Sequence, residues 1–234
     1  MKSILLSLIL LGTIGLGACK GQATNETSVS PASPPSASPA STASPSKSVP
    51  KIIAFGDSLT AGYGLSPVES YPSLLQKRLE ADGFNYEVVN AGVSGDVSAG
   101  GLRRVDWAME GDVRVVIIEL GANDILRGQP VDQMKRNLGQ IIERAKARGA
   151  EVLLAGMEAP TNSGPEYRRE VHEAFPALAR EHNVPLIPFF LDGVAGIERL
   201  NLPDGIHPNA EGTRIVAETV YKYLRPILEK ESAK

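Results

Sequence analysis

Three side chains that lie far apart in the sequence, Ser58, Asp204 and His207, are of the types that perform nucleophilic catalysis together. Ser58 follows an apolar run, residues 51–55, so its hydroxyl should lie on the sharp bend between a buried strand and a helix. Asp204 comes three residues before His207, where its carboxylate can orient the imidazole, and the imidazole can then deprotonate a serine hydroxyl. The sequence therefore predicts a serine nucleophile, a histidine base and a carboxylate that holds the histidine in place.

The elements that must position these residues alternate between short apolar runs and longer amphipathic stretches. The apolar runs predict strands at residues 51–55, 86–90, 113–120, 151–156 and 185–188. The amphipathic stretches predict helices at residues 71–82, 99–108, 131–148, 166–182 and 210–230. Alternating strands and helices form a parallel sheet with helices on both faces. We therefore expect a three-layer α/β/α fold with a five-stranded parallel sheet in the flavodoxin-like order 2-1-3-4-5.

Short loops rich in glycine and polar residues follow the first three predicted strands, at residues 56–59, 90–95 and 121–124. The carboxyl ends of parallel strands meet at one edge of a sheet, so we expect these loops to lie close together. The segment 204–208 precedes the last predicted helix. It must return to the same edge if His207 is to reach Ser58.

These four segments, in this order, resemble the SGNH hydrolases, which are also called GDSL hydrolases. The residues that give the family its name correspond to Ser58, Gly92, Asn123 and His207. The resemblance extends from residue 51 to about residue 228 and is greatest for the bacterial acyl-thioesterases, lysophospholipases and arylesterases. Ala122 departs from the family pattern, because relatives often have a second glycine at that position.

The resemblance implies a serine esterase that hydrolyses carboxylic ester or thioester bonds through a covalent acyl-enzyme, with no metal or other cofactor. Ser58 would attack the acyl carbonyl, His207 would move the proton, and Asp204 would fix the imidazole. The N–H groups of Ser58 and Gly92 and the side-chain amide of Asn123 would form the oxyanion hole. The implied substrates are acyl or aryl esters, lysophospholipids and acyl thioesters.

Two other functions remain open from the sequence. A carbohydrate O-acetyl esterase acting on envelope polysaccharide would use the same reacting residues with a different pocket. A catalytically silent binding lipoprotein would keep the fold, and Ser58 would then serve only as a helix cap.

Several polar and aromatic residues also have structural explanations. Three polar residues that follow strands are interpreted as groups that fix their loops: Asp57, Asn90 and Asp124. Two histidines in a charged helical stretch are interpreted as solvated surface residues: His172 and His182. Four aromatic residues could line an acyl pocket or belong to the core and its rim: Tyr63, Trp107, Phe189 and Phe190.

The first 50 residues are expected to serve secretion and anchoring. Residues 1–18 have the short apolar core of a signal peptide, and residues 16–19, Leu-Gly-Ala-Cys, resemble a bacterial lipobox. That resemblance implies lipidation of Cys19 and an extracytoplasmic location, anchored to a bacterial membrane, which would be the outer membrane in a Gram-negative host. Residues 19–50 are rich in Ser, Pro and Ala, which predicts a disordered tether, and residues 51–230 form the predicted hydrolase domain.

The composition argues against several kinds of partner. The formal net charge is −3 at pH 7 and there is no basic run, so we expect no nucleic-acid binding. Cys19 is the only cysteine, so the domain can form no internal disulfide. The three histidines are too widely spaced to suggest a metal site. We expect a monomer whose partners are a small-molecule substrate and a membrane.

Overall fold

A parallel sheet of five strands is the centre of residues 49–233, the part of the chain that the computed structural model describes. The strands are β1 (Lys51–Gly56), β2 (Glu87–Gly92), β3 (Val113–Glu119), β4 (Glu151–Ala155) and β5 (Leu186–Ile187). Their order is β2-β1-β3-β4-β5 and each neighbouring pair is parallel, which confirms the expected fold. The predicted signal peptide, Cys19 and residues 20–48 of the predicted tether lie outside the described residues.

Seven α-helices occur within residues 49–233. They are α1 (Ser58–Ala61), α2 (Tyr71–Ala81), α3 (Ser98–Ala108), α4 (Ala122–Leu126), α5 (Val131–Ala147), α6 (Pro165–His182) and α7 (Ala210–Ser232). Helix α2 packs against α7, whereas α5 packs against both α3 and α6, so the larger helices form two groups that cover the two faces of the sheet. None of the helices in residues 49–233 is both long and apolar enough to cross a membrane.

Strand β3 lies in the middle of the sheet and has helices over both faces. Residues 115–118 of this strand are fully buried, and Arg114 is its one exposed residue. Burial on both faces explains why the sequence here is an almost continuous apolar run rather than an alternating one. Beside the sheet, α5 buries residues at helical spacing, among them Met134, Leu138 and Ile142.

The predicted elements agree with the structure to within one or two residues at each end, and the differences have local causes. Strand β5 contains two residues because Pro185 and Pro188 flank it, and proline has no N–H for the ladder. Strand β2 continues to Gly92 because Gly92 pairs with Gly56 of β1. Helices α1 and α4 were not predicted as separate elements, since four or five residues are too few to show a helical period.

Arg104 of α3 fixes the carboxyl ends of β1 and β2. Its Nη2 donates to the Gly56 carbonyl and its Nη1 to the Ala91 carbonyl, both at 2.8 Å. Its Nε forms an ion pair with Asp96 at 2.8 Å, and its guanidinium lies 4.1 Å from the centroid of the Phe55 ring. The strand ends that lead into the first two loops are therefore held at a constant separation.

Candidate active site

Ser58 is the first residue of α1 and follows β1 with only Asp57 between them. Asp57 caps this helix, since its Oδ1 accepts a hydrogen bond from the Leu59 N–H at 3.0 Å. The preceding Gly56 has no room for a side chain, because a Cβ there would lie 2.0 Å from Thr60 Oγ1 and 2.5 Å from Glu119 Oε2. The tight turn therefore presents Ser58 at the carboxyl edge of the sheet, as the sequence predicted.

His207 lies between Ser58 and Asp204. Its Nε2 is 2.9 Å from Ser58 Oγ, and its Nδ1 is 2.7 Å from Asp204 Oδ2. The other carboxylate oxygen of Asp204 accepts the N–H groups of Ile206 and His207, each at 3.0 Å. Hydrogen bonds lower the pKa of Asp204 from 3.8 to about 2. The Ile206 N–H contributes most to this shift, and the His207 side chain and the His207 N–H contribute less. Asp204 is therefore ionised near neutral pH and orients the imidazole.

A short hairpin-like segment brings Asp204 and His207 back to this edge. The Leu202 N–H donates to the His207 carbonyl at 2.7 Å, and Asn201 forms an isolated antiparallel bridge with Pro208. The Asn201 amide donates to the carbonyls of Val194 and Ile197, both at 2.8 Å. These backbone and side-chain contacts hold the segment that connects the region after β5 to α7.

Asn123 of α4 lies beside the turn that carries Ser58. Its Nδ2 donates to Asp57 Oδ2 at 2.9 Å, which leaves the second N–H of the amide available for another acceptor. Asp57 is fully buried, and burial raises its pKa from 3.8 to about 6, although the Leu59 N–H and the Asn123 amide oppose this shift. Asp57 therefore fixes both its own loop and the Asn123 side chain.

Gly92 does not reach the site, contrary to the role expected for it. Its N–H donates to Asn90 Oδ1 at 3.0 Å, and a Cβ on Gly92 would lie 2.2 Å from the Ala61 nitrogen. Gly92 is needed because α1 packs directly on the end of β2, and it does not line the cavity beside Ser58. Gly95, three residues further on, lines that cavity with a φ of +80°.

The loop around Gly95 is held by two side chains from the region after β3, those of Arg127 and Asp124. Arg127 Nη2 donates to the Gly95 carbonyl at 2.9 Å. Asp124 is buried and accepts hydrogen bonds from the N–H and the hydroxyl of Ser98, at 2.7 and 2.5 Å. Asp124 thus joins the loops that follow β2 and β3, as it was interpreted to do. Asn90 lies within β2 rather than in the loop after it, and its Oδ1 accepts the Gly92 N–H at the end of that strand.

A cavity of about 580 Å³ opens beside Ser58 and His207. Most of its lining side chains are apolar, and they include Tyr63, Ile125, Leu126, Met157, Phe189, Leu191 and Ile206. Two of the four aromatic candidates are therefore at the cavity. Phe190 instead packs in the core against Tyr71, and Trp107 is exposed on α3, away from the cavity.

The remaining histidines lie away from the reacting groups. His172 is exposed and contacts Glu158 at 2.8 Å, whereas His182 is half-buried beside Gly139. Within residues 49–233, no group of His, Cys, Asp and Glu side chains is arranged to hold a metal ion.

A serine joined through a histidine to a carboxylate, at the carboxyl edge of a parallel α/β sheet, defines a serine hydrolase. Residues 54–215 match the GDSL-like Lipase/Acylhydrolase family, and the chain belongs to this family. It is an SGNH serine esterase, which confirms the activity that the sequence resemblance implied. The comparisons do not favour the two other functions left open above.

Two relatives and one solved structure illustrate the similarity. The Pseudomonas aeruginosa protein named Esterase TesA is 42% identical over 178 residues, 76% of this chain and 89% of that protein. The Escherichia coli K12 protein named Thioesterase 1/protease 1/lysophospholipase L1 is 37% identical over 182 residues, 77% of this chain and 86% of that protein. A crystal structure of TesA matches with a TM-score of 0.74 at 41% identity and covers 76% of this chain and 99% of that one.

Proposed function

We propose that this esterase cleaves esters and thioesters of medium-length acyl chains through an acyl-enzyme on Ser58. The observation that carries the proposal is the pair of contacts from Ser58 Oγ to His207 Nε2 at 2.9 Å and from His207 Nδ1 to Asp204 Oδ2 at 2.7 Å. A serine hydroxyl is a weak nucleophile on its own, and an adjacent base held by a third group activates it.

The proposed reaction has two halves. Ser58 Oγ attacks the acyl carbonyl carbon while its proton moves to His207 Nε2, and Asp204 stabilises the resulting imidazolium. The bond from the carbonyl carbon to the leaving oxygen or sulfur then breaks, and Nε2 returns the proton to the leaving alcohol or thiol. A water molecule then attacks the acyl carbonyl carbon while His207 Nε2 takes its proton. The bond from that carbon to Ser58 Oγ breaks, and Nε2 returns the proton to Oγ, which releases the carboxylic acid and restores Ser58.

We assign the oxyanion hole to the N–H groups of Ser58 and Gly95 and to the second amide N–H of Asn123. Gly95 takes the place first expected for Gly92, because the Gly92 N–H already donates to Asn90. A Cβ on Gly95 would meet only Arg127 Nη2, at 3.9 Å, so the backbone there is open to an approaching substrate. Donors fixed before the reaction stabilise the developing negative charge without a cost of reorganisation.

The cavity supports an acyl chain as the group that Ser58 receives. Its apolar side chains would lose their contact with water when an alkyl or aryl group binds. A polysaccharide would instead require many hydrogen-bonding groups in the same place. By analogy with relatives that are named thioesterase and lysophospholipase, we include acyl thioesters and lysophospholipids among the proposed substrates.

Hydrolysis of p-nitrophenyl esters from acetyl to palmitoyl tests this proposal, with Ser58→Ala measured beside the unaltered chain. We expect a Ser58-dependent optimum at medium chain length. Activity on the acetyl ester alone would contradict the acyl-chain proposal and favour a carbohydrate O-acetyl esterase. Equal rates for both proteins would exclude Ser58 as the nucleophile and favour a binding lipoprotein.

We also propose that the enzyme is a monomer anchored outside the cytoplasm through lipid on Cys19. The support is the Leu-Gly-Ala-Cys sequence of residues 16–19 and the Ser/Pro/Ala-rich segment that follows it. Metabolic labelling with an alkyne fatty acid should mark the unaltered chain and not Cys19→Ser. Light scattering of the detergent-solubilised protein should give the mass of one chain, and a dimer mass would contradict the monomer.

A further inference from the structure

Glu119, the last residue of β3, is fully buried directly beneath the turn that carries Ser58. Its Oε2 lies 2.7 Å from Thr60 Oγ1 and accepts the Asp57 N–H at 3.3 Å. Its Oε1 is buried and has no hydrogen-bond partner among the described residues. The proposed mechanism gives this carboxyl group no step of its own, so its presence at a buried position requires another explanation.

The surroundings of Glu119 favour its uncharged form. The polar groups that face it come from Asp57, Thr60 and Tyr71, and none of these is a cation. Burial raises the pKa of Glu119 well above its usual value, and the nearby Asp57 carboxylate raises it further. An ionised carboxylate with one oxygen left unpaired in this position would be strongly disfavoured.

Of the two neighbouring carboxyl groups, Glu119 and Asp57, it is Asp57 that carries the negative charge. Each of its two oxygens accepts a hydrogen bond, from the Leu59 N–H and from the Asn123 amide, whereas the buried Oε1 of Glu119 has no partner among the described residues. With a pKa of about 6, Asp57 is ionised near neutral pH. Two neighbouring carboxyl groups whose environments separate their pKa values have distinct protonation states, one neutral and one charged.

We propose that Glu119 is a neutral carboxylic acid that acts as a positioning residue for Ser58 and Asn123. Its contact with Thr60 fixes the first turn of α1, which contains Ser58, and its contact with the Asp57 N–H fixes the residue before the nucleophile. Because Glu119 holds the proton, Asp57 remains the charged acceptor that orients the Asn123 amide. This inference rests on the roles proposed above for Ser58 and Asn123.

Infrared difference spectroscopy of the unaltered chain against Glu119→Gln tests the charge of Glu119 directly. A protonated acid has a C=O stretch at higher frequency than a carboxylate or an amide. We expect that band near neutral pH in the unaltered chain and its loss in Glu119→Gln. Loss of a carboxylate band instead would overturn the proposal, whether or not the protein hydrolyses esters.

Kinetics test the positioning role, with kcat calculated per active site titrated by a fluorophosphonate so that unfolded protein is not counted. Glu119→Gln retains one donor and one acceptor and should keep kcat within about twofold, whereas the apolar Glu119→Leu should lose about tenfold or more with KM little changed. Wild-type kcat in Glu119→Leu would overturn the positioning role. Absence of any Ser58-dependent activity in the unaltered chain would overturn the proposed function and this role together, while the infrared band would still decide the charge of Glu119.

Discussion

The ring of Tyr63 lies against the imidazole of His207, with the ring centroids 4.5 Å apart and the ring planes inclined by 37°. The Tyr63 N–H also donates to the Ser58 carbonyl oxygen at 3.0 Å, which ties this ring to the turn of the nucleophile. Tyr63 therefore covers part of the imidazole while the two ring nitrogens contact Ser58 and Asp204. An aromatic face attracts a cation, so this contact favours the imidazolium that forms when His207 accepts a proton.

We expect Tyr63→Ala to lower kcat by about two- to fivefold, the effect of one cation–π contact at a partly exposed site. Tyr63→Phe should retain the activity because it keeps the aromatic face. Tyr63→Leu is the matched control, since it retains bulk without a π system. Kinetics on a p-nitrophenyl ester would measure all three, and equal kcat values for the Phe and Leu variants would contradict a role for the aromatic ring.

Asn123→Ala should reduce kcat by about a hundredfold or more, because the loss of one oxyanion donor typically has this effect. The Asn123 side chain is already held by Asp57, so its second N–H needs no reorganisation during the reaction. Asn137→Ala is a suitable control, since Asn137 makes a similar amide contact with the Ser98 hydroxyl at 2.9 Å and does not line the cavity. Near-wild-type kcat in Asn123→Ala would remove Asn123 from the oxyanion hole.

The fold could be predicted from local sequence because burial on both faces leaves a clear pattern. The run Val115–Ile118 has no polar residue, and glycines mark the ends of α2 and α5 at residues 83 and 149 with positive φ. Strand order then followed from the alternation of strands with helices and from the handedness of their connections. The ends of β2 and β5 were less predictable, because they depend on pairing partners and on prolines that flank the strand.

Much of the site could also be predicted from local sequence. Ser58 and Asn123 follow strands whose ends the sequence marks, and the segment with His207 precedes the last predicted helix. Gly95 was missed because the run of residues 90–95 contains two glycines, and only the length of β2 shows which one lies beyond the strand. The contact of Tyr63 with His207 joins residues 144 positions apart and has no local signal. Glu119 was hidden in an apolar run, where a single carboxyl group did not alter the predicted strand.

Asp57 and Asp204 affect the pH dependence of stability with opposite signs. The pKa of Asp204 is lowered to about 2, so its ionised form stabilises the fold, and that contribution is lost as pH falls from about 4 to about 2. The pKa of Asp57 is raised to about 6, so its protonated form is favoured in the fold, and stability declines as pH rises from about 4 to about 6.

Asp57→Asn should therefore make the decline between about pH 4 and pH 6 smaller, in addition to any constant change caused by its altered hydrogen bonds, while the raised pKa of Glu119 leaves a decline in both proteins. The pH-dependent part amounts to about 2–3 kcal/mol at most, from a pKa shift of about two units in a buried group. Urea unfolding of both proteins at several pH values would measure it. Curves of unfolding free energy that run parallel from pH 4 to pH 7 would show that the pKa of Asp57 is not raised in the fold.

Glu158 gives the cavity a negative rim. The side chains that line the cavity include Asp57, Glu158 and His207 as titratable groups but no lysine or arginine, and Glu158 is 38% exposed beside His172. An anionic leaving group that passes near Glu158 would therefore approach a carboxylate. Repulsion between Glu158 and this leaving group should lower kcat/KM for esters with an anionic leaving group, relative to neutral esters with the same acyl chain.

Glu158→Lys should raise kcat/KM for an ester with an anionic leaving group by roughly fivefold or more, and Glu158→Gln should give a smaller increase. The neutral ester with the same acyl chain is the control and should change little in both variants. Because the repulsion by Glu158 acts at the solvent-exposed rim, the preference of the unaltered enzyme for the neutral ester should decrease as the salt concentration is raised. The ratio of kcat/KM for the two esters, measured at low and high ionic strength, gives this preference. If the ratio is unchanged by salt or by the charge at residue 158, the leaving group does not pass near Glu158.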